Sequence, residues 1–188
     1  MTAARRFVAV VDAVNYRLGR IIMYGIFVMV GILLWSSVSK TFFLPVSWTL
    51  EMAQFAMVAY YILGGPYAIQ MGSNVRMDLF YGAWSPRRKA AVDSFTVVFL
   101  LFYLAVLLYG GLGSLAYSLG YWGTEYAGFF VGLISGSEQI GRLERSPTAW
   151  RPYLWPIKTI MVSGILLMLL QAVSELIKDV IRLRGGDI

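Results

Sequence analysis

Cysteine and histidine are both absent from the 188 residues. Without cysteine there is no disulfide, no thiolate metal site and no cysteine nucleophile. Without histidine the chain loses the commonest general base and metal ligand, and the usual haem ligand. Only carboxylate chemistry would remain to an enzyme, and no carboxylate pair stands at an evident catalytic spacing. No GxxxxGK[ST] phosphate loop is present either. The expectation is a protein that is not an enzyme and holds no cofactor or metal. Charge is also scarce. Charged residues make up 14% of the chain and hydrophobic ones 59%, whereas a soluble domain is roughly 25% charged. That is too little charge to cover a water-facing surface.

What is present is a series of long uncharged runs. Ile21 to Ser39 gives 19 residues, enough for about 28 Å of helix, which crosses a hydrocarbon core. Between Glu51 and Arg76 lie 24 uncharged residues, between Asp93 and Glu125 lie 31, and between Lys158 and Glu175 lie 16. These predict four membrane-spanning helices over about 21–39, 50–68, 94–116 and 156–174, in a single all-α membrane domain covering 1–188. Before them, Phe7, Val11, Val14 and Leu18 recur at helical spacing among Arg6, Asp12, Arg17 and Arg20. A short amphipathic helix at the membrane surface fits that pattern, and a frayed terminus fits it as well. Val75 to Phe80 reads as a second, shorter interfacial segment. Residues 117–155 form a connection whose apolar part, 127–134, is too short to cross. They predict a short helix or two against the membrane surface, serving as a packing insert or as a docking surface for a soluble partner.

Lysine and arginine set the direction. Arg5, Arg6, Arg17, Arg20, Arg76, Arg87, Arg88, Lys89, Lys178, Arg182 and Arg184 fall on one side of the predicted spans. Lys40, Arg142, Arg145, Arg151 and Lys158 fall on the other. The richer side is the cytoplasmic one, which puts both termini there. The net charge of +6 is therefore not a nucleic-acid stripe, because the basic residues lie in three separated segments.

Several residues interrupt otherwise plain apolar helices. Trp48 and Glu51 open the second span, with Ser47 placed to cap it. Glu51 there meets the positive end of the helix dipole, or makes a polar contact to a partner helix. Gly64 and Gly65 permit close helix approach next to Tyr67, and Pro66 either kinks that helix or marks its end. Arg76, Asp78, Arg87 and Arg88 form a turn suited to lipid headgroups or a partner loop, or simply a solvated one. Ser85-Pro86 reads as the start of the next helix, and Lys158 as a residue snorkelling from the fourth. No span carries an ionisable residue near its midpoint, which pumps and proton relays normally need. A substrate site contained in this chain alone is not expected. The residues leave open a supporting membrane subunit, a small self-contained exporter working as a homodimer, an interfacial membrane enzyme, or an accessory subunit of another complex.

Trp48-Thr-Leu-Glu51, Gly64-Gly65-Pro66-Tyr67-Ala68, Asn74-Val-Arg76-Met-Asp78, Ser85-Pro86-Arg87-Arg88-Lys89, Trp150 to Lys158 and Leu170-Gln171-Ala-Val-Ser-Glu175 together resemble the small membrane subunit of tripartite ATP-independent periplasmic (TRAP) transporters. The resemblance runs from about residue 15 to 180. It departs at Asn74, where the family signature has histidine, and in the longer connection at 117–150. It implies a bacterial inner-membrane scaffold subunit that holds no substrate. Its partners would be a large multi-helix elevator subunit, a periplasmic substrate-binding protein and membrane lipids. The transporter would import an organic acid on a sodium gradient. Trp48, Glu51, Gly64, Gly65 and Tyr67 would serve helix packing, and Arg76, Asp78, Arg87 and Arg88 the cytoplasmic contact.

Overall fold

A computed structural model describes residues 2–44, 46–72 and 86–183. Among the described residues six helices follow one another: α1 Thr2–Ile22, α2 Gly25–Phe42, α3 Trp48–Gln70, α4 Pro86–Ser118, α5 Tyr126–Ser135 and α6 Trp155–Leu183. Among the described residues there is no strand, only an isolated antiparallel bridge between Arg145 and Tyr153. The amphipathic segment and the first apolar run are separate helices, divided by a tight turn at Met23-Tyr24. Pro86 takes the first position of α4, as expected, while Ser85 lies outside the described residues. The interfacial segment expected at 75–80 also lies outside them.

Three stretches among the described residues are long and apolar enough to cross a membrane: Ala3–Phe42, Ala91–Ser118 and Trp155–Leu183. The span expected at 50–68 is not one of them. Its helix, α3, has 23 residues and one charge, but Gln54, Gly64, Gly65, Pro66 and three tyrosines dilute its apolar character. The helix does not end at Pro66; it continues to Gln70.

The last helix is the hub. α6 packs against α4, α3 and α1, while α2 packs mainly on α3 and α5 on α4. Leu104 of α4 with Ile165 and Ala172 of α6 form one core, joined by Leu100, Leu108, Met161 and Met168. Backbone proximity sets the α3–α6 crossing. A Cβ on Gly164 would overlap the Ile62 side chain and lie 3.0 Å from the Ile62 carbonyl oxygen. That carbonyl is the one Pro66, lacking an N–H, cannot serve four residues later. One turn along, a Cβ on Gly65 would lie 2.6 Å from the Met168 sulfur.

Val8, Val11, Asn15 and Gly19 of α1 face the bundle, whereas Val14 is exposed, as an apolar residue turned to a membrane surface would be. The polar residues of the inward face find polar partners on α6.

Candidate functional site

Two polar clusters bracket the apolar core, one at each end of the bundle. At the end bearing the chain termini, Asn15 and Gln171 are buried to 1% and 0% exposure. The Asn15 amide donates to the Gln171 carbonyl oxygen at 2.7 Å. The Gln171 amide in turn donates to Asp12 Oδ1 and Glu175 Oε1, both at 3.0 Å. Ser174 donates to Asp12 Oδ1 at 3.1 Å. Lys178 closes the circuit, 2.7 Å from Asp12 Oδ2 and 2.7 Å from Glu175 Oε1. The Gln70 amide of α3 donates to the Asp12 carbonyl at 3.2 Å. Gln171, Ser174, Glu175 and Lys178 recur every three or four residues, so they share one face of α6. The cluster ties α1 to α6 and α3 by bonds that a low-dielectric surrounding strengthens. Its side chains are engaged with one another, which suits a structural role, and no group of three or more potential metal-ligating side chains gathers among the described residues.

At the opposite end the connection folds back over α4. Its Gly141 N–H donates to the Leu119 carbonyl at 2.9 Å and its Glu144 N–H to the Ser118 carbonyl at 3.1 Å. These bonds satisfy the carbonyls that a helix end leaves unpaired. Gly120 makes the reversal possible with φ +87°, and a Cβ there would lie 2.5 Å from the Arg142 backbone nitrogen. Gly120→Ala therefore meets both a disfavoured backbone region and a backbone clash. It should lower stability by about 2 kcal/mol, read as a lower melting temperature in detergent; an unchanged melting temperature would mean the connection does not rest on α4. Residues 144–154 form a narrow loop closed by Ser146 N–H to Pro152 O at 2.9 Å and Leu154 N–H to Glu144 O at 3.2 Å. Lys158 does not snorkel away from the bundle. It pairs with Glu144 at 2.5 Å and donates to the Ser114 carbonyl at 3.2 Å. Loop and helix ends border an open cavity of about 700 Å³ lined by Arg142, Arg145, Arg151, Tyr117, Trp122 and Tyr153, with Leu143 and Glu144.

The residues singled out in the sequence are dispersed by the fold. Trp48 and Glu51 open α3. Ser47 stands at the cap position with helical backbone angles and no side-chain cap bond; Thr49 instead donates to Ser36 Oγ at 3.0 Å, tying α3 to α2. Glu51 is 6% exposed, and its Oε2 has no hydrogen-bond partner among the described residues. Gly65 meets α6, and Tyr67 packs against Gly19 and, at 5.9 Å between ring centroids, against Tyr16 of α1. At Gly64, no described residue beyond its own stretch of helix lies within 4 Å of the place a Cβ would take, which leaves room for a partner helix or lipid. Arg76 and Asp78 lie outside the described residues. Arg87 falls in the first turn of α4, and Arg88 beside it is exposed.

The remaining functional surface is apolar. Phe27, Leu34 and Trp35 on α2, and Phe95, Phe99 and Phe102 on α4, are all exposed. Apolar faces of this extent mark contact with lipid or protein. With the apolar helices described above they make this a membrane protein.

Neither a curated relative nor a solved structure matches the chain. A family model does, over residues 29–182, described as the DctQ component of tripartite ATP-independent periplasmic transporters. That family is a transporter component and not an enzyme family. The match takes in α3, α4, α5 and nearly all of α2 and α6, with the connection that folds back over α4. The chain belongs to the DctQ family, the small permease component of TRAP transporters.

Proposed function

We propose that this chain is the scaffold subunit of a sodium-coupled importer of an organic acid, packing beside a large elevator-type subunit served by a periplasmic substrate-binding protein. Family membership over residues 29–182 carries the reading. The absence of any charge near the middle of a span supports a supporting role over a translocating one. In this reading the chain crosses the bacterial inner membrane four times, with α3 as the fourth crossing helix. Its 23 residues reach about 34 Å, sufficient for the hydrocarbon core. Both termini are cytoplasmic. The excess of Lys and Arg at that end supports this, and so does the cluster that joins α1 to the far end of α6. The connection and its cavity then lie on the periplasmic face. Trp48, Glu51, Gly65 and Tyr67 serve packing within the subunit, and Gly64, which has open space at its Cβ position, faces lipid or the large subunit. Arg76, Asp78, Arg87 and Arg88 provide the cytoplasmic contact.

The test is co-purification in mild detergent with the large TRAP membrane subunit, followed by uptake into liposomes with sodium and the binding protein. A stable one-to-one complex is expected. Arg76→Ala or Asp78→Ala should reduce the recovered complex roughly fivefold, the equivalent of about 1 kcal/mol from one lost charged contact. A chain that purifies alone as a homodimer and transports without help would overturn the assignment.

A further inference from the structure

The cavity over the end of α4 holds more positive charge than the fold uses. Glu144 is the one acid among its lining residues, and Lys158 already takes it at 2.5 Å. Arg142 and Arg151 have no ion pair among the described residues. Arg145 donates to the Tyr153 hydroxyl and lies 4.3 Å from the centre of that ring, which orients a guanidinium without neutralising it. Three uncompensated guanidinium groups thus border one concavity. Arg151 borders it from a left-handed backbone, φ 51°, a conformation that costs a non-glycine residue energy and collects at binding sites. The remaining wall is aromatic. Trp122, 79% exposed, meets Tyr117 edge-on at 4.9 Å. The volume of about 700 Å³ falls within the range of small-molecule sites, roughly 300–1,000 Å³.

The geometry points to an oxyanion site in the connection: Arg142, Arg145 and Arg151 receive a carboxylate or phosphate, and Trp122 and Tyr117 cover the organic body attached to it. The guanidinium fork matches both anions in paired hydrogen bonds, and bound anion removes the repulsion among the three cations. Two sources offer this chemistry. One is a free organic acid arriving from the aqueous side. The other is the headgroup of an anionic phospholipid, since the neighbouring α5 exposes Val131 and Ile134, the latter at 88%, as an interfacial helix would. The site goes beyond the scaffold reading and does not depend on it, because a subunit that leaves transport to its partner can still bind an anion at its own surface.

The experiment has two arms, both on the purified full chain. In the first, tryptophan fluorescence is followed during titration with citrate and with inorganic phosphate in neutral detergent. In the second, lipid retained after exchange into nanodiscs of phosphatidylcholine and phosphatidylglycerol is identified by mass spectrometry. The test variant is Arg142→Gln/Arg151→Gln; Arg17→Gln/Lys40→Gln removes the same charge elsewhere, and circular dichroism confirms that each variant is folded. A saturable response to citrate or phosphate, weakened about tenfold or more in the test variant and unchanged in the control, establishes the site with a free anion as ligand. Selective retention of phosphatidylglycerol, lost in the test variant alone, establishes it with a headgroup as ligand. Absence of both signals, or signals equal in the two variants, overturns it.

Discussion

Lys178→Ala should destabilise the bundle by about 2–4 kcal/mol, somewhat below the roughly 3–5 kcal/mol of a fully buried pair. The Lys178 side chain is 12% exposed and that of Asp12 24%, so water screens part of the interaction. The loss comes from what remains: Asp12 and Glu175 are left facing each other around Gln171 with no cation between them. Destabilisation is to be measured as the melting temperature of the chain in detergent, alongside protease access to α1. Asp12→Ala should weaken the same attachment, and the double variant should lose less than the sum of the two, the sign of direct coupling. Arg182→Ala is the comparison. Arg182 pairs with Asp179 three residues away on the same helix, with side chains 60% and 8% exposed; its loss stays within α6, so it should leave protease access to α1 unchanged. Equal effects of the Lys178 and Arg182 variants would show that α1 is not held through this circuit.

Gly164→Val should cost about 3 kcal/mol, at the upper end for forced overpacking. The new side chain would meet Ile62, and the Ile62 carbonyl at 3.0 Å from the Cβ position cannot swing away. Ile62→Ala should recover part of the loss by removing the side-chain overlap, and only part, because the carbonyl stays. Gly64→Ala is the counterpart. With open space around it, and alanine favoured over glycine in a helix by about 1 kcal/mol, it should leave the isolated chain as stable or more so. Thermal unfolding of the three variants and the wild type checks the set. A Gly164→Val chain as stable as the wild type would mean that α6 does not cross α3 at this point.

These two expectations also mark what the sequence could and could not reveal. The apolar runs and the excursion at 117–155 are local patterns, and both are readable. The roles of Gly64 and Gly65 were not separable, since adjacent residues on a helix point about 100° apart and only the position of α6 decides which of them is covered. The α1–α6 cluster was less readable still. Asn15 and Gln171 are 156 residues apart, and Asp12 in isolation looks like one more charge on a surface helix. Helical spacing shows that Phe7, Val11, Val14 and Leu18 share an apolar face. The face that meets the bundle is set by polar partners on α6, a relation between helices that no local period contains. The cavity was hidden for the same reason. Arg142, Arg145 and Arg151 read as scattered charge until the return of the chain over α4 brings them to one place.

The central position of α6 has a consequence for biosynthesis. At about 5–20 residues per second, the 156 residues between Asn15 and Gln171 take roughly 8–30 s to translate. Throughout that interval the Asp12 and Asn15 side chains lack their partners on α6, and α3 and α4 lack the hub helix. The subunit cannot close from its beginning; it waits for its end. A nascent chain stopped before Gln171 would present Asp12 and Asn15 unsatisfied, and so would differ chemically from a finished one at a place near its own N-terminus.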